Sequence, residues 1–273
     1  MFNFLHYFTP APILVSFGPL RVYWYGLFVV LGVLAALTVS LKLAKRLGFS
    51  PNKLFDLSFW MIIAGIIGAR LYHVALEWPY YAAHPANIVK VWQGGLAIHG
   101  ALLGGFLALG FFIWKEKINF WQLAAIFAPG IALGQAIGRW GNYFNQELFG
   151  KPTNLPWGIP IEIINRPAQY LSAEFFHPTF LYESLGDLAI FFILLWLVFR
   201  LLKKNSANYK IIFLTYLILY SLLRFSLEFL RLDATAYVFG FRWPQIFSAL
   251  IFIISIALLF LPNKKGKSAD FPG

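Results

Sequence analysis

The chain has 273 residues, of which 60% are hydrophobic and only 12% charged, and its mean hydropathy is +0.69. Soluble domains run nearer half apolar and a quarter charged, so a cytosolic globular enzyme, a disordered chain and a fibrous chain are excluded, leaving an all-α polytopic membrane protein. The net charge of +11 comes from 22 Lys and Arg against 11 Asp and Glu. In such a protein it points to basic cytoplasmic loops and anionic lipid, not to nucleic acid. The absence of cysteine removes disulfides, thiolate metal sites and a thiol nucleophile of the protein's own.

A membrane helix needs about 20 mostly apolar residues, and about seven stretches qualify in chain order. They run Tyr23 to Leu43, Phe55 to Leu76, Gly95 to Trp114, Phe120 to Ile137, Phe180 to Phe199, Ile211 to Phe229 and Trp243 to Leu261. The fourth is the weakest, because Pro129 and several glycines interrupt it. Lys42, Lys45, Arg46, Lys53, Lys115, Lys117, Arg200, Lys203, Lys204, Lys210, Lys264, Lys265 and Lys267 fall on one side. Arg21, Lys90, Lys151, Arg166, Arg231 and Arg242 fall on the other. The richer side is cytoplasmic, which places the amino terminus outside and the carboxy terminus inside. No basic n-region precedes the first apolar run, so no cleavable signal peptide is read.

The expected organisation is a single membrane domain over 1–273. Residues 77–93, with WPYYAAHP, form an outer interfacial segment. Residues 140–177, with four prolines, form an outer loop region too long to be idle. The cytoplasmic tail, 262–273, is expected to be mobile. No internal repeat of the transporter kind is present.

Ionisable groups within a membrane are costly and mark function unless a partner explains them. The densest cluster is GRWGNYFNQELFG, Gly138 to Gly150. Gly138 and Gly141 allow close backbone approach, and Arg139 and Asn142 share a face if the helix continues. A guanidinium takes a phosphate through two parallel hydrogen bonds. The plainer reading is a snorkelling arginine paired with Glu147. In the sixth span Tyr220, Arg224 and Glu228 recur every four residues and form one stripe, near which Arg231 falls. The stripe either serves a wet cavity or locks helices through an Arg224–Glu228 pair. His99, within GGLAIHGALLGG, is a candidate base or a packing residue. Glu183, the last residue of HPTFLYE, and Asp187 are four apart, so either one is protonated or a cation sits nearby; the plainer reading is helix capping with acids favoured near an amino-terminal end. Arg70, in GARLYH, reads as functional or as snorkelling. Tyr25 belongs to an aromatic belt. No histidine–acid pairing suggests a metal, and no phosphate-binding loop, dinucleotide fingerprint or nucleophile elbow occurs.

Together these motifs resemble the prolipoprotein diacylglyceryl transferase family. GRWGNYFNQELFG looks like its signature. WYGL (Trp24 to Leu27), GARL (Gly68 to Leu71), GGLAIHGALLGG, HPTFLYE and YSLLRFSLEFLR (Tyr220 to Arg231) follow the family's order over nearly the whole chain. The resemblance implies an enzyme of the bacterial inner membrane. It would transfer diacylglyceryl from phosphatidylglycerol to the lipobox cysteine of prolipoprotein signal peptides, as a monomer without a cofactor. The family's essential histidine falls on His99 and its lipid-binding arginine on Arg139, with Arg224 the sixth-span arginine. Asn142, Glu147, Tyr25, Tyr220, Glu228, Arg70 and Gly150 complete the implied substrate site. One departure is Ala125, where many members carry aspartate. A lipid transporter or a structural assembly partner stands as the alternative; formation of product separates them.

Overall fold

The computed structural model of the chain describes residues 2–18, 20–204 and 208–261; the expected tail at 262–273 lies outside them. A short α1 (Phe2–Tyr7) leads to a hairpin of β1 (Ile13–Phe17) and β2 (Leu20–Tyr23), and then to α2 (Trp24–Arg46). There follow α3 (Pro51–Leu76), the short α4 (Trp78–Ala83), α5 (Ile98–Glu116) and α6 (Phe120–Phe144). After a long loop carrying β3 (Ile159–Pro160) paired with β4 (Phe175–Phe176), the chain enters α7 (Thr179–Lys203) and α8 (Tyr209–Leu227). The hairpin of β5 (Tyr237–Val238) and β6 (Phe241–Arg242) opens α9 (Trp243–Phe260). Seven helices among the described residues, α2, α3 and α5 to α9, are long and apolar enough to cross a membrane. The all-α polytopic architecture read from the sequence is thus borne out, with three two-stranded sheets added.

The largest departure is α6. Pro129 does not end it, and the helix continues through Phe144, seven residues beyond Ile137, so Arg139 and Asn142 are helical. Small residues permit this. A Cβ on Gly130 would stand 2.6 Å from the Ala36 carbonyl oxygen, and one on Gly32 would stand 2.8 Å from that of Gly134. The backbones of α2 and α6 therefore touch, and such close packing is the main attraction between helices in lipid.

The chain divides into two compact units, Met1–Ser40 with Ala124–Gly273, and Leu41–Leu123. In the first unit α7, α8 and α9 pack successively. Beside them Leu5, Tyr143, Phe149, Ile159, Ile161, Phe176, Phe180 and Leu181 form an apolar core under the long loop. His6 joins it by stacking on Phe175 at 4.0 Å and bonding the Gly158 carbonyl at 2.8 Å. In the second unit α3 and α5 run antiparallel with backbones in contact, because side chains on Gly100 and Gly104 would overlap the carbonyls of Gly68 and Ala64. Ser50 caps α3 by accepting from the Lys53 amide at 3.4 Å, and Pro51 begins it.

Candidate active site

Each polar stripe expected from the sequence ends on a partner in the first unit. The hub is Glu183, in the second turn of α7. Arg139 Nε on α6 meets it at 2.5 Å, Arg224 Nη1 on α8 at 3.1 Å and Arg231 Nη1 at 3.0 Å. Arg224 Nη2 also meets Glu228 at 3.0 Å, and Arg242 Nε binds the other oxygen of Glu228 at 2.7 Å. Asp233 closes the far end, 2.7 Å from Arg231 Nε and 3.4 Å from Arg242 Nη2. Asp187, one turn beyond Glu183, lies within electrostatic reach of Arg139, Tyr216 and Tyr220. Four guanidiniums therefore face four carboxylates. Fully desolvated charges survive only where such pairing replaces water.

Within this network Arg139 differs from the other arginines. Its side chain is 20% exposed, close to the 18% of Arg224, but Glu183 holds only its Nε edge. Its two Nη groups make no hydrogen bond or ion pair among the described residues and are not sealed off. The plainer sequence reading, an Arg139–Glu147 pair, is therefore replaced. The open fork is the geometry that accepts two oxygens of a phosphate. Tyr220 lies beside it on α8, stacked on Tyr216 at 5.8 Å. The Tyr216 hydroxyl donates to Gln135 Oε1 on α6 at 3.0 Å, which carries the polar stripe one turn deeper. Asp187 is 1% exposed, and neither of its oxygens has a hydrogen-bond partner among the described residues.

The signature segment holds the end of α6 in one conformation. Asn142 Nδ2 donates to Glu147 Oε1 at 2.8 Å, and the Glu147 amide returns to the Asn142 carbonyl at 3.0 Å. Gln146 (φ 50°) and Leu148 (φ 56°) take left-handed backbone to make this turn, an uncommon conformation for such residues. Gln146 is fixed there by donating to the Pro10 carbonyl and accepting from the Glu162 amide. The glycines divide in role. A Cβ on Gly141 would stand 2.9 Å from the Tyr25 ring, so Gly141 seats Tyr25 against α6, whereas Gly138 has open space beside it. Gly150 threads between two strands of chain. Its amide donates to the His177 carbonyl at 2.9 Å, and a Cβ would stand 2.8 Å from that of His177 and 3.1 Å from the Leu230 carbonyl.

In the second unit Arg70 is 6% exposed and is engaged on every nitrogen. Its Nε donates to the Ile88 carbonyl at 2.7 Å, Nη1 to Gly94 at 2.7 Å and Gly95 at 3.0 Å, and Nη2 to Asn87 at 2.5 Å. The Tyr81 ring lies 5.0 Å from the guanidinium. Arg70 thus replaces snorkelling with a clasp on the segment leading to His99. Gly94 (φ 90°) and Gly95 (φ 72°) supply the backbone the clasp needs, which is why α5 starts at Ile98 and not at Gly95. His99 is exposed in the first turn of α5, its ring 6.0 Å from that of Tyr72.

Outside the spans the charges shift as their surroundings dictate. Burial alone would raise the Asp233 carboxyl, but its bond to Arg231 and the charges of Arg231 and Arg242 outweigh burial and hold it below the usual carboxylate range. Burial likewise opposes ionisation of Arg231, yet Asp233, Glu183 and Glu228 keep it more firmly protonated than usual. Burial pushes the His177 imidazole down; the Tyr182 hydroxyl lies 3.2 Å from its Nδ1. No group of three or more His, Cys, Asp or Glu is placed to hold a metal ion among the described residues.

The sequence signalled Glu183 only indirectly, since two carboxylates four apart need a cation. It gave no sign that Arg242 and Asp233 belong to the same network, because their partners lie on other elements.

Residues 12–261 match the family model for prolipoprotein diacylglyceryl transferase. The chain is 49% identical over 227 residues to a phosphatidylglycerol–prolipoprotein diacylglyceryl transferase of Nostoc sp., covering 83% of this chain and 80% of that one. It is 48% identical over 231 residues to the enzyme of the same name from Synechococcus elongatus, covering 84% and 80%. It is 42% identical over 276 residues to that of a Synechococcus sp., covering 97% and 98%.

Proposed function

The chain belongs to the prolipoprotein diacylglyceryl transferase family, and on that premise we propose that it moves the diacylglyceryl group of phosphatidylglycerol onto the lipobox cysteine of prolipoprotein signal peptides. The bond between the diacylglyceryl carbon and the phosphate oxygen breaks. Its electron pair leaves with glycerol phosphate, the thiol sulfur forms a thioether to that carbon, and the thiol proton passes to a base. The observation that carries the reading is the open fork of Arg139, anchored by Glu183 at one edge and free at the other.

Charge builds on the phosphate as the carbon–oxygen bond breaks, and fixed guanidiniums in a water-poor site stabilise that charge more than water does. Arg139 and Arg224 fill this role, with Glu228 orienting Arg224 and Tyr220 and Tyr25 meeting phosphate or glycerol oxygens. Asn142, Glu147 and Gly150 shape the lipid's seat, and Arg70 sets the segment that presents His99. A free thiol has a pKa of about 8.5, so a base must raise the thiolate fraction, and His99 serves as that base. Both substrates arrive by lateral diffusion, so orientation replaces a chance collision.

The same reading makes the chain a monomer of one membrane domain in the bacterial cytoplasmic membrane. Its amino terminus lies outside, its carboxy terminus inside, and the segments 77–93 and 140–177 outside. The Lys and Arg asymmetry of the connections supports that orientation.

The test uses purified protein in phosphatidylglycerol vesicles with a lipobox peptide, following glycerol phosphate release and peptide mass. A diacylglyceryl gain on the Cys peptide, absent with a Cys-to-Ser peptide and reduced about 100-fold or more in Arg139→Ala, is the expected result. Folded protein that leaves the Cys peptide unmodified overturns the reading.

A further inference from the structure

The second unit carries a lipid-facing groove that the transferase reading leaves unused and whose assignment does not depend on that reading. It is an open cavity of about 690 Å³ bounded by α3 and α5. Gly68 and Gly104 line it where the two backbones touch, and Trp60, Leu71 and Phe111, each more than half exposed, form its sides. Lys115 stands at one end.

The length of the groove suits a lipid chain. From Gly104 to Lys115 is eleven residues, about 16 Å at 1.5 Å per residue. That is close to half of a hydrocarbon core about 30 Å thick. An extended acyl chain matches that length and the apolar lining of Trp60, Leu71 and Phe111.

The charge decides the headgroup. Nearby Glu116 is taken by Lys53 at 2.8 Å. Lys115 makes no ion pair among the described residues, and its ammonium lies 6.0 Å from the Phe111 ring centre. We propose that this groove holds one acyl chain of an anionic phospholipid from the leaflet on the Lys115 side, with the lipid phosphate on Lys115.

The experiment uses the full-length protein in vesicles containing phosphatidic acid with a photoreactive group in mid-chain, with labelled positions mapped by peptide mass. Labelling concentrated in residues 60–71 and 104–115 is expected. Unlabelled phosphatidic acid should compete at least fivefold better than phosphatidylethanolamine. Lys115→Glu should lower groove labelling about fivefold, the effect of roughly 1 kcal/mol per basic residue at an anionic lipid surface. Ala108→Trp, which fills the groove, should abolish it. Because labelling is read by position, lipid held at the Arg139 cluster is scored separately. Uniform labelling of all lipid-facing segments, indifference to Lys115→Glu, or equal competition by the two lipids overturns the proposal. So does a polypeptide found crosslinked in the groove.

Discussion

Replacing Glu183 with glutamine preserves the side chain's shape and removes one negative charge from beneath three arginines. Glu183 is 3% exposed, with guanidinium nitrogens at 2.5, 3.0 and 3.1 Å. At an effective dielectric constant of about 20, one such pair contributes roughly 4 kcal/mol of attraction at 4 Å. The variant's amide keeps one neutral acceptor oxygen but cannot offset repulsion among Arg139, Arg224 and Arg231. Removing one partner from a buried ion pair costs about 3–5 kcal/mol. With an unfolding entropy near 2.1 cal/mol/K per residue, this chain should lose about 5–9 °C in Tm. The ten tryptophans allow a fluorescence melt of the protein in detergent. Glu147→Gln is the control, since Glu147 only accepts amide bonds at 2.8 and 3.5 Å; its loss should be about 1 kcal/mol. Inorganic phosphate should restore part of the Tm of Glu183→Gln and little of the control's, because an anion at the open edge of Arg139 offsets the uncompensated guanidinium charge. Equal Tm for parent and Glu183→Gln would refute the hub, whatever happened to activity.

Arg70→Lys should cost about 2–4 kcal/mol, because one ammonium cannot reach four carbonyls spread from Asn87 to Gly95; hydrogen exchange should show lost protection confined to residues 87–95. Gly150→Ala should cost about 1–3 kcal/mol through overpacking against His177, with turnover falling alongside Tm. Asp233 titrates below the usual carboxylate value in the folded chain. Its contribution is therefore complete above about pH 3.9 and is lost as the pH falls through the lower folded value. Asp233→Asn should be less stable than the parent at pH 6, and the gap should narrow in melts taken below pH 4. Asp187→Asn preserves shape while replacing the buried carboxyl that interacts with Arg139, so a change in the apparent affinity for phosphatidylglycerol without a fall in Tm is expected; an unchanged affinity would show that Asp187 has no part in placing Arg139.

Tyr220, Arg224 and Glu228 were legible as one face because helical spacing is local. Glu183 and Asp187 were legible as a problem, two carboxylates on one face, but their solution lay on α6 and after α8. Pro129 and the glycines look like interruptions of α6, which the sequence reading ended near Ile137. In contact with α2 those same glycines are what allow the helix to continue, and a local rule does not contain the neighbour that reverses it.

The sequence by itself determined a membrane protein of seven spans, since length and hydropathy of each apolar run suffice when lipid forces every backbone group to bond within its own helix. It also determined which residues were too costly to be incidental. Only the tertiary structure decided how those residues are used. Glu183 gathers three arginines, Arg139 keeps one edge free, Arg70 is consumed by its own loop, and Gly150 leaves room for another strand of chain. Those outcomes depend on which elements meet, and charge and close packing act at distances of a few ångströms between residues far apart in the chain.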